Sequence, residues 1–302
     1  MMNNSLTVNE NGDMQRELRR CQAAVDERLS EFFIEDVSYS RLLESMRFSM
    51  LAGGKRIRAA LCIKFCEAAG GTMDDALDAA CAIEMLHTYS LIHDDLPCMD
   101  DDDMRRGKPS NHIQFGEFTA TLAGDALQAA AFKTLIGSNL PASAVVKMAQ
   151  ILADAAGPHG ICGGQYLDLS GEGKALTLDE LGDIHGMKTV ALISAAARIG
   201  VVAAGGTPAQ IEAAGSYADA VGLAFQARDD LLDLTATVEE LGKPAGSDIE
   251  NNKTTLATLL GKDECENLIH RETGKAISAL DGMFKDTEFL KWFATLLAKR
   301  NY

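Results

Sequence analysis

Residues 74–107 read DDALDAACAIEMLHTYSLIHDDLPCMDDDDMRRG, and this stretch decides the fold. From Asp74 to Asp95 it is apolar on nearly every side, the mark of an interior helix. Thr72, followed by Met73, Asp74 and Asp75, supplies an N-terminal cap. Pro97 cannot continue a helix, and the residue before a proline avoids helical backbone, so the helix ends near Asp95. Six aspartates then fall between Asp94 and Asp103, and Arg105, Arg106 and Gly107 follow at once. Acid at the C-terminal end of a helix opposes the helix dipole. It costs stability unless a cation compensates.

Outward from this helix the chain reads as further helices. Leu18, Cys21, Val25, Leu29 and Phe32 recur at spacings of three and four over residues 14–33. Residues 40–52 repeat the pattern, and Ala59 to Ala69 is mostly apolar up to Gly70-Gly71. Helices are expected at 117–138, 142–156, 178–203, 208–233, 253–260 and 262–298, with glycine-rich breaks between them. No alternating strand pattern of useful length, internal repeat or Pro/Ser/Gly linker interrupts this order. The expectation is one all-α domain over residues 14–302, behind a flexible tail of residues 1–13.

The net charge of −16 disfavours nucleic acid as a partner. Seven cysteines without paired spacing read as reduced, intracellular thiols. No basic start followed by an apolar run marks a signal peptide, and no membrane span is expected. The localisation expected is cytoplasmic.

A second acidic motif lies at Gln226-Ala227-Arg228-Asp229-Asp230-Leu231-Leu232-Asp233. On a helix Asp229 and Asp233 share a face, with Gln226 joining it. Clustered carboxylates repel one another and are costly to bury unless neutralised. Mg²⁺ takes oxygen ligands, keeps several waters, and is held by one or two carboxylates plus substrate phosphates. Two carboxylate faces could therefore clamp one diphosphate through shared Mg²⁺ ions. The complementary cations are Lys55 and Arg58 after the Gly53-Gly54 turn, then Arg105, Arg106, Lys188, Lys243 and Lys253. His87 lies two turns before Asp94, on nearly the same helical face.

These residues resemble the trans-isoprenyl diphosphate synthase family, closest to its bacterial-type farnesyl diphosphate synthases. Asp94-Asp95-x4-Asp100 with Arg105-Arg106-Gly107 is similar to the family's first aspartate-rich motif. Phe225-Gln226 with Asp229-Asp230-x2-Asp233 is similar to the second. Gly53-Gly54-Lys55-Arg56-Ile57-Arg58, Gly163-Gly164-Gln165 with Asp168, Lys188-Thr189, and Gly242-Lys243 through Lys253-Thr254 match in order. Ala59 stands where many relatives have proline, and Leu256-Ala257 where Tyr-Pro is common.

The resemblance implies a helical bundle around a central cavity, a homodimer, and Mg²⁺-dependent condensation of isopentenyl diphosphate with an allylic diphosphate. By the same resemblance Lys55, Arg58, His87 and Arg106 hold isopentenyl diphosphate. Asp94, Asp100 and Asp229 bind Mg²⁺, supported by Asp95 and Asp233. Arg105, Lys188, Lys243 and Lys253 hold the allylic diphosphate, with Thr189 and Gln226 beside it. Asp94, Asp95, Asp229, Lys188 and Arg105 are the expected catalytic set.

Tyr89 and Ser90 are the expected chain-length residues, Tyr89 lying about 7.5 Å back along the helix from Asp94. By the same resemblance an aromatic there implies farnesyl diphosphate, with geranylgeranyl or geranyl diphosphate as alternatives. A terpene cyclase is disfavoured because its second motif mixes Asn, Ser or Thr with Glu. A non-catalytic subunit is disfavoured because both motifs are intact. A calcium protein is disfavoured because no loop has EF-hand spacing.

Overall fold

The computed structural model describes residues 3–235 and 254–299. The described chain is all-α apart from one short hairpin. Its elements are α1 (Asn3–Ser30), α2 (Ser40–Met50), α3 (Ile57–Ala68), α4 (Met73–Asp94), β1 (Met104–Arg105) and β2 (Lys108–Pro109). Then come α5 (Asn111–Phe115), α6 (Glu117–Ile136), α7 (Ala142–Ala156), α8 (Ile161–Gly171), α9 (Leu178–His185), a π-helical turn (Gly186–Val190) and α10 (Ala191–Ala203). The series closes with α11 (Pro208–Thr235), α12 (Leu256–Leu260), α13 (Lys262–Ala279) and α14 (Glu288–Lys299).

The helices group into two compact units. The first comprises Met1–Leu152 with Ile199–Gly206, and the second Ala153–Arg198 with Thr207–Tyr302. The boundaries fall inside α7 and α10 and just after α10. No linker composition could therefore have announced them.

In the first unit α4 packs against α1, α2, α3 and α6. Thr72 and Asp75 form the reciprocal cap expected at its start: Asp75 N–H donates to Thr72 Oγ1 at 3.3 Å, and Thr72 N–H donates to Asp75 Oδ2 at 2.8 Å. Leu61, Ile63 and Phe65 of α3, Ile83, Met85 and Leu86 of α4, and Leu127 and Leu135 of α6 are fully buried. Cys21, Cys62, Cys66, Cys81 and Cys265 are buried, as small hydrophobes are, while Cys98 and Cys162 are exposed. Burial pushes the Cys21 thiol up to about 11 and the Cys66 thiol up to about 12.

In the second unit α11 packs against α13, α14, α12 and the π-helical turn. Pro208 opens α11, where its missing N–H costs nothing, and Thr207 and Gln210 cap it reciprocally. Leu181, Ala227, Leu231, Leu256, Cys265 and Leu268 form one buried cluster. Tyr217 is fully buried and donates its hydroxyl to Leu290 O at 2.7 Å. The stretch Leu178–Ala203 is long and apolar enough to cross a membrane, and 67% of its most apolar window is buried within the structure.

Several elements depart from expectation. The first helix begins at Asn3, ahead of the expected start at Met14. The hairpin and α8 were not anticipated. The expected helix 178–203 passes through a π-helical turn, and the expected 262–298 breaks between α13 and α14, where Gly282 has a φ of 71°.

Candidate active site

The first unit builds a cationic group on three elements. After α2 the chain turns through Gly53 and Gly54, at φ 82° and 141°, where only glycine is at ease. Arg56 then takes left-handed backbone, at φ 46°. That strain is held by three contacts: Arg56 donates to Met50 O at 2.8 Å, to Asp26 at 2.8 Å and to Glu84 at 3.1 Å. Glu84 also accepts from Ala59 N–H in the first turn of α3, at 3.4 Å. This buried anchor places Arg58 on α3 beside His87 on α4, with Arg58 Nη1 at 3.4 Å from His87 Nε2.

Arg106 reaches the same loop from the hairpin. It sits in a two-residue turn with Gly107, at φ 55° and 74°, as the tight turn between antiparallel strands requires. Its guanidinium lies under Gly54 and donates to Gly53 O. A side chain at 54 would collide with it.

Burial pulls the Arg58 guanidinium below its ordinary value, Arg106 adds to this, and Glu84 opposes it. Burial likewise lowers Arg106, helped by Arg56. His87 is driven well below the usual imidazole value by burial and then by Arg58, Arg106, Arg56 and Arg105, so it is neutral at pH 7. Arg58 Nε is buried with no hydrogen-bond partner. Such a group costs about 1–3 kcal/mol, more when charged, which an anion would relieve.

The first acidic motif begins at the end of α4. Asp95 is 2% exposed and pairs with Arg105, whose Nε donates to it at 2.8 Å. Arg105 also holds Asp102 at 2.9 Å. Burial raises the Asp95 carboxyl, against the pull of Arg105. In this arrangement Asp95 and Arg105 occupy each other, and either joins a ligand only by exchanging that partner. Asp94 is half-buried and Asp100 exposed; Asp100 N–H donates to Asp94 O at 2.9 Å, fixing the turn that carries both. Lys55 is exposed at the loop. Tyr89 and Ser90 are buried in α4.

A small cleft opens beside the hairpin, lined among others by Phe48, Thr88, Leu91, Arg105, Arg106 and Asn111. Its buried amide, Asn111, is already engaged, donating to Ser45 O at 2.9 Å and Ser49 Oγ at 2.8 Å.

The second unit gathers Asp168, Lys188, Thr189, Gln226 and Asp230. Gly164 has no room for a side chain because Lys188 N and Cα lie against it. This close approach, with the wider π-helical turn, sets Lys188 Nζ at 2.5 Å from Asp168 Oδ2. Thr189 Oγ1 donates to Gln226 Oε1 at 3.3 Å, and Gln226 Nε2 donates to Asp230 Oδ1 at 2.9 Å. Asp230 is 5% exposed and accepts from Leu256 N–H at 2.8 Å, which caps α12. Asp229 and Asp233 are half-buried on α11. Both amide atoms of Gln165 are buried without a partner. Lys243 and Lys253 lie outside the described residues.

Asp230, Glu84 and Arg56 are the positions that motif reading passed over. Asp230 could have been found as the buried-face neighbour of Leu231. Nothing in the order of residues signals that Glu84 reaches the turn at Arg56.

The donor set suits Mg²⁺. Each motif, within its own unit, offers carboxylate oxygens, and among the described residues no three acidic, His or Cys groups converge as a ready-made metal cage. An ion held by one or two carboxylates plus substrate oxygens needs no such cage.

Residues 40–286 match the polyprenyl synthetase family model. The chain is 49% identical over 226 residues to a geranylgeranyl diphosphate synthase of Cyanophora paradoxa, covering 74% of this chain and 75% of that one. It is 46% identical over 249 residues to the chloroplastic geranylgeranyl pyrophosphate synthase 11 of Arabidopsis thaliana, covering 80% of this chain and 70% of that protein. Among solved structures, an FPP/GFPP synthase from Zymomonas mobilis superposes with a TM-score of 0.85 at 31% identity, covering 95% of this chain and 99% of that one.

Proposed function

The chain belongs to the polyprenyl synthetase family, and from that premise we propose that it joins isopentenyl diphosphate to allylic diphosphates to make geranylgeranyl diphosphate. The observation that carries the reading is the group of Arg58, Arg106 and neutral His87, whose buried Arg58 Nε lacks a partner. It is a diphosphate seat built before the ligand arrives. Lys55, Arg58 and Arg106 bind the diphosphate of the homoallylic substrate, and His87 donates a hydrogen bond to it. In the second unit Lys188, Thr189 and Gln226 bind the allylic diphosphate, which takes Lys188 from Asp168.

Asp94 and Asp100 in the first unit, and Asp229 and Asp233 in the second, would each hold Mg²⁺, which would supply charge that steadies the departing diphosphate. The allylic carbon–oxygen bond breaks with its electrons leaving on the diphosphate. The double bond of isopentenyl diphosphate attacks the allylic carbon, and a proton passes from the neighbouring carbon to the released diphosphate, restoring a double bond. Lys188, released from Asp168, stabilises the leaving charge.

The C20 product rests on the names of the relatives at 46–49% identity. It replaces the C15 expectation as the main reading. The C15 reading keeps one specific support: Tyr89, 3% exposed, five residues before Asp94. Purified protein incubated with Mg²⁺, isopentenyl diphosphate and C5, C10 or C15 allylic diphosphate decides between them when the products are sized. C20 from all three primers supports the reading; arrest at C15 overturns it in favour of the second. Tyr89→Ala is expected to lengthen the product, and an unchanged distribution rejects that role for Tyr89.

The homodimer implied by the resemblance is part of the proposal. Phe118 (76% exposed), Leu122 (50%) and Ile136 (61%) share one face of α6, apolar surface that a second copy would cover.

A further inference from the structure

We propose that His93, seated against Gly124, is a positioning residue that sets product length by fixing the Tyr89 ring behind Asp94. This rests on the reading of the chain as a prenyl diphosphate synthase in which Tyr89 limits product length, whether at C15 or at C20.

Tyr89 and His93 are one turn apart on α4 and so share a face. Their rings meet edge to face, with centroids 5.7 Å apart and planes at 80°. The far side of the His93 ring is closed by α6. Its Nε2 lies 3.0 Å from Thr121 O, and since a carbonyl only accepts, Nε2 carries the hydrogen and donates. A side chain at position 124 would overlap Nε2, Cδ2 and Cε1 of His93. The absence of a side chain at Gly124 leaves the space that this ring occupies. Asp125 Oδ1 stands 3.9 Å from the same nitrogen.

The consequence is mechanical. α4 rises about 1.5 Å per residue, so a prenyl chain growing back from a diphosphate at Asp94 passes Tyr89 after roughly 7.5 Å. Tyr89 can stop that chain only if its ring cannot yield. The His93 ring packs edge to face against it and is itself held to α6 by Thr121 O and by its seat on Gly124. The same imidazole immediately precedes Asp94, so stop and diphosphate anchor are held to α6 by one contact.

Three variants test this through the ratio of longer to shorter products at saturating isopentenyl diphosphate. His93→Ala removes the backing and should raise the ratio about tenfold, the low end of what an apolar pocket gains or loses per methylene of room. Gly124→Ala drives the ring toward Tyr89 and should lower the ratio by a similar factor. The double variant has no ring to displace and should match His93→Ala, which also covers the case in which Gly124→Ala alone does not fold. Turnover of dimethylallyl diphosphate in the first condensation should stay within about threefold in His93→Ala, because neither residue touches a diphosphate.

Wild-type product lengths in His93→Ala and the double variant would overturn the inference. So would a folded His93→Ala with no turnover, or a shortened product that persists in the double variant. A wild-type protein that makes no prenyl diphosphate would overturn the underlying reading as well. A wild type that elongates while the variants leave length unchanged would sink this inference alone.

Discussion

The two acidic motifs treat their aspartates alike, but the units that carry them differ in their cations. In each motif the second aspartate of the pair is buried in the protein's own structure: Asp95 is tied to Arg105 and Asp230 to Gln226 and Leu256 N–H. Asp94 and Asp100 in one motif, and Asp229 and Asp233 in the other, stand nearer the solvent. The motif is thus a structural aspartate flanked by ligand aspartates. Arg105 in the first unit and Lys188 in the second are alike in pairing with an aspartate; what divides the units is the further cation group around Arg58. In the first, Arg58 carries a buried N–H with no partner, while in the second Lys188 is neutralised by Asp168. One unit is already short of an anion. The other must exchange internal pairs before it can bind one.

The largest effect should separate ligand from structural aspartates. Asp94→Asn or Asp229→Asn is expected to lower kcat on the order of 10³-fold with Tm unchanged, the scale of losing one preorganised electrostatic partner. Asp95→Asn and Asp230→Asn should cost only about tenfold in kcat but lower Tm by several degrees, as loss of a cap or buried charged partner does. Steady-state rates with melting curves on all four variants check this, and equal kcat losses across them would erase the distinction.

The anchor behind the cation group comes next. Glu84→Gln leaves Arg56 without its buried charge partner and should destabilise the protein by about 3 kcal/mol, read by urea unfolding. A loss under about 1 kcal/mol would show that Asp26 and Met50 O hold the turn without Glu84. Arg58→Met should raise KM for isopentenyl diphosphate about 100-fold, matching a charge-assisted bond of roughly 2–3 kcal/mol, while KM for the allylic substrate stays put. A rise shared by both substrates would contradict the division of cations.

The smallest effect is on pH dependence. The folded value of His87 lies below its ordinary value near 6.5. As pH falls, the unfolded chain therefore takes up the proton first, and folding stability declines. The contribution is intact above about pH 6.5 and is lost below it, at up to about 1.4 kcal/mol per pH unit. His87→Gln should flatten the Tm profile between about pH 7 and 5, and a profile parallel to wild type would reject this source.

What could be read from the order of residues was what local chemistry fixes. The Thr72 cap, the stop before Pro97 and the shared face of Asp229 and Asp233 follow from spacing alone, and the helices appeared where those signals placed them. What stayed hidden depends on contacts distant in sequence. Asp95 and Asp230 look like any other members of their motifs until the chain folds Arg105 and Leu256 onto them. The left-handed turn at Arg56 is unremarkable until Glu84 reaches it. Local patterning could not show the hairpin, because two residues per strand are too few for a period of two. The π-helical turn that carries Lys188 leaves no mark in an apolar stretch already read as helix.

Calorimetric titration of isopentenyl diphosphate and of a non-ionising allylic diphosphate analogue, each with Mg²⁺ and with chelator, tests the contrast most directly. Isopentenyl diphosphate should bind within about threefold as tightly without metal, whereas the allylic analogue should lose measurable binding. Metal-independent binding of the analogue, or loss of isopentenyl diphosphate binding in chelator, would contradict that contrast.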